Sequence, residues 1–254
     1  MKEITLEERR KIQIDMMKEF DAFCRKNNLR YSLAYGTLLG AIRHKGFIPW
    51  DDDMDIMMPL NDMYRMRSIL KSDRLEYCDV DTCKYYDYAF ARLTYKQTFC
   101  KQGLIVKGNG VPIDLYPIYS VPDSEIERNE YFRRVNEILK IRKLLIKWKR
   151  NIIKIFPIKT IPLHTYYVRK YRDFCEQYRY GTNTFACSGM ASHKENILTK
   201  DVFENTIDVD FEGERFMAIA EYDYFLKNRY GDYMQLPPEE DRRPYHGGNY
   251  YWKD

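Results

Sequence analysis

From Thr5 to Lys26 the apolar residues Ile12, Met16, Phe20 and Phe23 recur at helical spacing, and Thr5 followed by Glu8 reads as a capping box. The pattern predicts a core-packed helix, opened by a charged amphipathic N-terminus and ended at Asn27-Asn28. Tyr31, Ser32, Leu33 and Ala34 form a strand-like run into a Gly36-Thr37 turn, and Leu38, Leu39, Ala41 and Ile42 suggest a short helix after it. Residues 54–58 read as a buried strand closed by Pro59. Asn61 or Asp62 can cap a helix to about Lys71, with Met63, Met66, Ile69 and Leu70 near one face. Two strand candidates follow at 75–80 and 88–95, then loops marked by Gly103, Gly108 and Gly110, then a strand at 111–116 ending at Pro117.

Asp123 and Ser124 begin a helical region that runs to about Tyr180, broken near Pro157 and Pro162. Residues 206–211 and 215–218 read as two strands joined at Glu212-Gly213, and a helix over 220–230 is stopped by Gly231. The prolines and glycines of the tail argue against regular structure, while its aromatic residues argue against disorder and for a loop folded back over a site.

At 254 residues, 31% charged and 44% hydrophobic, the composition is that of a globular chain able to bury a sizeable core. A net charge of +4 gives no case for nucleic acid, and allows an anionic substrate or membrane surface. No apolar run approaches the roughly 18 residues that span a bilayer, and the N-terminus does not read as a signal peptide, so the expected location is the cytosol. The six cysteines form no CxxC pair and no zinc spacing, which leaves free thiols as the default. Between Lys140 and Arg172 there is no acidic residue, and Lys140, Arg142, Lys143, Lys147, Lys149, Arg150, Lys154 and Lys159 alternate with apolar residues up to Phe156. A basic amphipathic helix of this kind fits the inner face of an anionic membrane, and equally a core-packed helix with a solvated basic face.

The chemistry is concentrated in residues 35–59, YGTLLGAIRHKGFIPWDDDMDIMMP. A small-residue turn before a helix exposes backbone N–H groups that can hold a phosphate. Arg43, His44 and Lys45 follow, and then Asp51, Asp52, Asp53 and Asp55, a cluster that repels itself unless a cation sits in it. If 54–58 is a strand, its period of two sets Asp53 and Asp55 on one face, an arrangement suited to Mg²⁺. The competing reading is a solvated acidic turn, against which stand the apolar run behind it and the basic trio before it. Asp114, isolated between Ile113 and Leu115, needs a partner if buried: a cation shared with Asp53 and Asp55, or a structural salt bridge. Arg92 is either exposed on its strand or turned to a phosphate.

These residues resemble the LicD family of phosphocholine transferases, whose wider relatives include fukutin and the fukutin-related protein. The matching parts are YGTLLGAIRHKGFIPWDDDMDI at 35–56, VPIDLYPI at 111–118 and YGDYMQLPPEEDR at 230–242. The resemblance implies an α+β, nucleotidyltransferase-like fold: a small mixed sheet flanked by helices, with an added helical region and a C-terminal hairpin, helix and loop. It would be one catalytic domain over 1–254, made of a core (1–122), a basic helical insertion (123–200) and a closing C-terminal part (201–254). Gly36 and Thr37 then match the phosphate-binding turn, Asp53 and Asp55 the acidic pair, and Asp114 the third carboxylate, with Asp51 and Asp52 in support.

The implied activity is transfer of phosphocholine, or a related phospho-substituent, from CDP-choline or a similar CDP donor to a hydroxyl of a glycan or glycolipid such as lipopolysaccharide or teichoic acid. Asp53, Asp55 and Asp114 would be catalytic and would hold Mg²⁺ or Mn²⁺. Arg43, Lys45, Arg92 and Arg242 are candidates for the diphosphate, Arg243 and His246 for closing the tail over the site. A choline cage could come from Tyr85, Tyr86, Tyr88 and Tyr95, or from Tyr245, Tyr250, Tyr251 and Trp252. Two rival readings are a nucleotidyltransferase that makes a CDP-linked donor, and a non-catalytic membrane module using the 140–156 stretch.

Overall fold

A two-residue strand, β1 (Glu3–Ile4), stands where the pattern pointed to the start of a helix, and α1 (Leu6–Lys26) follows it. The computed structural model describes residues 1–83, 86, 88–101, 109–152, 163–188, 197–242 and 248–253, without the side chains of 146, 148–152, 163 and 164. The capping box forms in full: Glu8 N donates to Thr5 Oγ1 at 3.1 Å and Thr5 N to Glu8 Oε2 at 3.0 Å. Ile12, Met16 and Phe20 are buried as their spacing required, and Gln13 ties the helix to the sheet by donating to the Pro112 carbonyl at 3.0 Å.

After β2 (Ser32–Leu33), α2 (Tyr35–His44) begins earlier than expected, so that Gly36 and Thr37 lie in its first turn and Arg43 in its last. Then come β3 (Asp55–Pro59), α3 (Leu60–Ile69), β4 (Leu75–Cys78), β5 (Ala91–Tyr95), β6 (Thr98–Cys100) and β7 (Pro112–Val121). Neither Asn61 nor Asp62 caps α3. Pro59 holds that position without a side-chain bond, and Asp62 instead accepts from the backbone N and Nε of Arg30 at 3.3 and 3.1 Å. Two long helices follow, α4 (Glu125–Ile152) and α5 (Leu163–Cys175). The expected break at 153–162, with Lys154, Phe156 and Lys159, lies outside the described residues, as do Gly103 and Gly108.

The segment between 123 and 200 is not all helix, for it contributes β8 (Phe185–Ser188) and β9 (Ile197–Thr199) to the sheet. The remainder is a hairpin, β10 (Thr206–Phe211) and β11 (Glu214–Ile219), then α6 (Tyr222–Tyr230) and β12 (Tyr250–Trp252). The tail is thus partly regular. β12 lies between β1 and β6 in a three-stranded sheet that joins the two ends of the chain.

The central sheet has seven strands in the order β2-β3-β7-β5-β4, with β8 on β7 and β9 on β8. β3 and β7 are parallel and the other pairs antiparallel. β3 is buried throughout and β7 everywhere except Tyr116, which explains why both read as apolar runs without alternation. β7 passes through Pro117 because β5 pairs with residues 112–115 and β8 with 118–121. The proline falls between the two ladders, where neither antiparallel neighbour pairs with it. Tyr31, Tyr119, Tyr131 and Tyr171 are fully buried, so packing is the use of much of the tyrosine. All six cysteines are buried and free. Among the described residues no helix is long and apolar enough to cross a membrane.

The loop after α2 is pressed against the helix at Gly40, where a Cβ would sit 2.4 Å from the Gly46 carbonyl oxygen. Because that obstacle is backbone, Gly40→Ala is expected to destabilise the chain by about 1–3 kcal/mol. Urea denaturation measures it, and an unchanged midpoint would show the loop to be free to move aside.

Candidate active site

The parallel register of β3 and β7 pairs Asp55 with Asp114, and the antiparallel register of β5 and β7 pairs Asp114 with Arg92. Paired residues of neighbouring strands share a face, so the three side chains form a row across the sheet. Arg92 grips Asp114 with both arms of its guanidinium, Nε to Oδ1 at 2.6 Å and Nη2 to Oδ2 at 3.2 Å. The salt bridge foreseen as one of two uses for Asp114 is therefore present, and its cation comes from the neighbouring strand.

Asp55 has no such neutralising contact. It is 8% exposed, and its Oδ1 is buried without a hydrogen-bond partner. Burial, followed by the charges of Asp53, Asp114 and Asp51, holds its carboxyl well above the usual carboxylate range. Burial and then Asp53 push Asp51 up to about 7.

The start of α2 is fitted to these acids. Thr37 Oγ1 accepts from Asp55 N at 2.8 Å, and the Ala34 N–H donates to the Asp55 carbonyl at 2.9 Å, which lock the first turn to the strand. A Cβ on Gly36 would lie 2.7 Å from Asp51 Oδ2, so only glycine lets that carboxylate close on the helix. The positive end of the helix thus faces Asp51. Tyr35 begins the helix with φ of 45°, a conformation that costs a bulky residue energy and marks the turn as tightly constrained.

Among the described residues, Asp51, Asp52 and Asp53 bring carboxylate oxygens within 4.8 Å of one another, next to Asp55 on the following strand. Asp52 also meets Arg9 Nη1 at 3.2 Å. Asp114 has drawn a cation from β5, while Asp55 is left facing like charges.

Of the four predicted cations, Arg92 is held by Asp114, Arg43 and Arg242 bind other protein groups, and Lys45 is exposed. Arg43 donates to the carbonyls of Tyr233 and Gln235, Lys45 is an exposed left-handed cap of α2, and Arg242 donates to the Pro237 carbonyl and stacks 5.5 Å over Trp50. Arg43 and Arg242 hold the tail in shape near residues 43–51. Arg243, His246, Tyr85 and Tyr245 lie outside the described residues. Tyr86 and Tyr95, considered for a cage, are buried.

Sequence reasoning missed Tyr35, Tyr116, Arg229 and Tyr230. The Tyr35 ring meets Tyr116 at 5.0 Å, and Arg229 lies 5.4 Å over the same Tyr35 ring. Tyr230 is pushed up to about 12, mainly by burial, with Asp55 and Asp51 adding their charge. Tyr116 was within reach from the pattern, because it stands two positions from Asp114 on the same face of β7.

A mixed sheet carrying acidic residues beside a Gly-Thr helix start defines the class as nucleotidyltransferase-like. Residues 28–173, more than half of the chain, match the family described as LicD/FKTN/FKRP, nucleotidyltransferase domain, and the chain belongs to the LicD family. It is 28% identical over 259 residues to the lipopolysaccharide cholinephosphotransferase LicD of Haemophilus influenzae, covering 97% of each chain. Over a shorter stretch of 55 residues it is 46% identical to an uncharacterised protein of Rickettsia prowazekii, covering 22% of this chain and 21% of the other.

The acids set a pH dependence. A carboxyl raised from 3.8 to about 7 on folding, as Asp51 is, adds stability fully present below about pH 4 and lost as pH rises through 7. In divalent-free buffer the melting temperature is expected to fall across that window, and Asp51→Asn to flatten the fall. Asp55→Asn, by removing a buried charge, should raise the melting temperature at pH 7.5 by roughly 3–6 °C. A drop in that mutant would mean the Asp55 carboxylate is already neutralised.

Proposed function

We propose that this chain is a divalent-cation-dependent transferase that moves phosphocholine, or a related phospho-substituent, from a CDP-activated donor to a hydroxyl of a cell-surface glycan precursor. The observation that carries the reading is Asp55, a buried carboxylate with an unpartnered oxygen among Asp51, Asp53 and Asp114. Similarity along nearly the whole chain to a lipopolysaccharide cholinephosphotransferase supports the choice of group and acceptor.

A hard cation suits this donor set, which is all carboxylate oxygen and carries more negative charge than Arg92 offsets. Asp53 and Asp55 would hold Mg²⁺ or Mn²⁺, with Asp114 and Asp51 beside them. When bound, the ion would neutralise charge on the diphosphate.

The chain's own groups supply the rest. The N–H groups at the start of α2 orient the anionic donor. An acceptor hydroxyl attacks the phosphorus that bears the choline and its proton passes to Asp114. The bond from that phosphorus to the bridging oxygen breaks, and CMP leaves with the electron pair. Arg92, holding Asp114 in the row with Asp55, keeps that carboxylate aimed into the site. We place the acceptor at the inner face of the membrane, where the basic 140–156 stretch would meet anionic lipid. In its described part Ile141 and Leu144 are exposed beside Lys140, Lys143 and Lys147.

Purified protein with Mg²⁺, a panel of CDP donors and glycan acceptors is expected to release CMP, and EDTA to stop it. Asp53→Ala and Asp55→Ala should each lower the rate at least about a thousandfold while the protein stays folded. Turnover that persists in EDTA would sink the cation. Pyrophosphate in place of CMP would point to synthesis of a CDP-linked donor.

A further inference from the structure

Beside the carboxylates four aromatic rings form a continuous wall. Tyr35 meets Tyr116 with centroids 5.0 Å apart, Tyr116 meets Phe90 at 4.5 Å, and Phe90 meets Tyr88 at 5.4 Å. Its two ends are already occupied by cations. Arg92 lies 3.5 Å over the Tyr88 ring and reaches the edge of cation–π range, 5.8 Å, from Phe90, and Arg229 lies 5.4 Å over Tyr35.

The middle of the wall, Phe90 and Tyr116, is half-buried rather than sealed into the core. Tyr116 is the one residue of β7 that is not buried, and alternation along the strand sets it on the face of Asp114, two register positions from the Asp55–Asp114 pair. Aromatic faces are not needed to hold a primary ammonium, which can donate hydrogen bonds directly to a carboxylate. A quaternary ammonium has no N–H to donate, and is recognised by ring faces together with nearby negative charge. This wall has both.

We infer that Phe90 and Tyr116 seat the quaternary ammonium of the transferred group, between the two arginine-occupied ends of the wall and beside the acidic cluster. The identity of that cation rests on the transfer reading above. The wall would then set donor specificity, favouring a trimethylated amine over its unmethylated counterpart.

The test is calorimetric titration of the full chain, with Mg²⁺ present, using phosphocholine and phosphoethanolamine as probes. Phosphocholine is expected to bind about tenfold more tightly, the size of a desolvated cation–π contact. Phe90→Leu, which keeps the bulk and removes the ring face, should abolish the difference, while Phe90→Trp should keep it. Tyr116→Leu is the second removal, with the same loss expected should Phe90→Leu fail to melt cooperatively. Equal binding of the two probes by the unmutated chain, or a preference that survives both leucine variants, would overturn the inference. Because the titration requires no turnover, a failure to use any CDP donor would count against the transfer reading alone.

Discussion

The site depends on the parallel pairing of β3 with β7. That register sets Asp55 directly beside Asp114 on one face of a buried sheet, where two negative charges in a medium of low polarity raise each other's energy. The sheet relieves half of the conflict itself, since β5 brings Arg92 opposite Asp114 in the next register pair. Asp55 keeps the remainder. A fold that buries an acid with an unpartnered oxygen beside three others holds an energetic strain that a bound cation would release.

Around this row the chain builds support from elements distant in sequence. The first turn of α2 is bonded to β3 through Thr37, Gly36 admits the Asp51 carboxylate, and Arg9 of α1 takes Asp52. Arg43 and Arg242 shape the tail, and Arg229 and Tyr230 at the end of α6 bring it to the aromatic wall. The C-terminal part thus closes one side of the site through α6, while its last strand pairs with the first one, β1.

Local features were legible. The capping box at Thr5 and Glu8, the hairpin turn at Glu212-Gly213 and the stop at Gly231 are set by residues within a few positions of one another. Asp114 stood out because an acid among apolar strand residues is costly unless it has a partner. The short strands β1, β6, β8, β9 and β12 escaped notice, since two to four residues show no period. The carbonyl partners of Arg43 and Arg242 were not legible, because an arginine's spacing does not say what it binds, and Arg43 finds its partner 190 residues away.

The sequence by itself determined the helices, the two buried central strands, the acidic cluster and the family, all of which are written in spacing or in contiguous motifs. Only the tertiary structure decided which acid is neutralised and which is not, and which of the 23 tyrosines form a surface beside the acids. The physical reason is that helical and strand periods are local, whereas strand register and ring contacts join positions far apart in the chain. The charge of Asp114 is settled by Arg92 on another strand, and the charge of Asp55 by the absence of any such neighbour on β2.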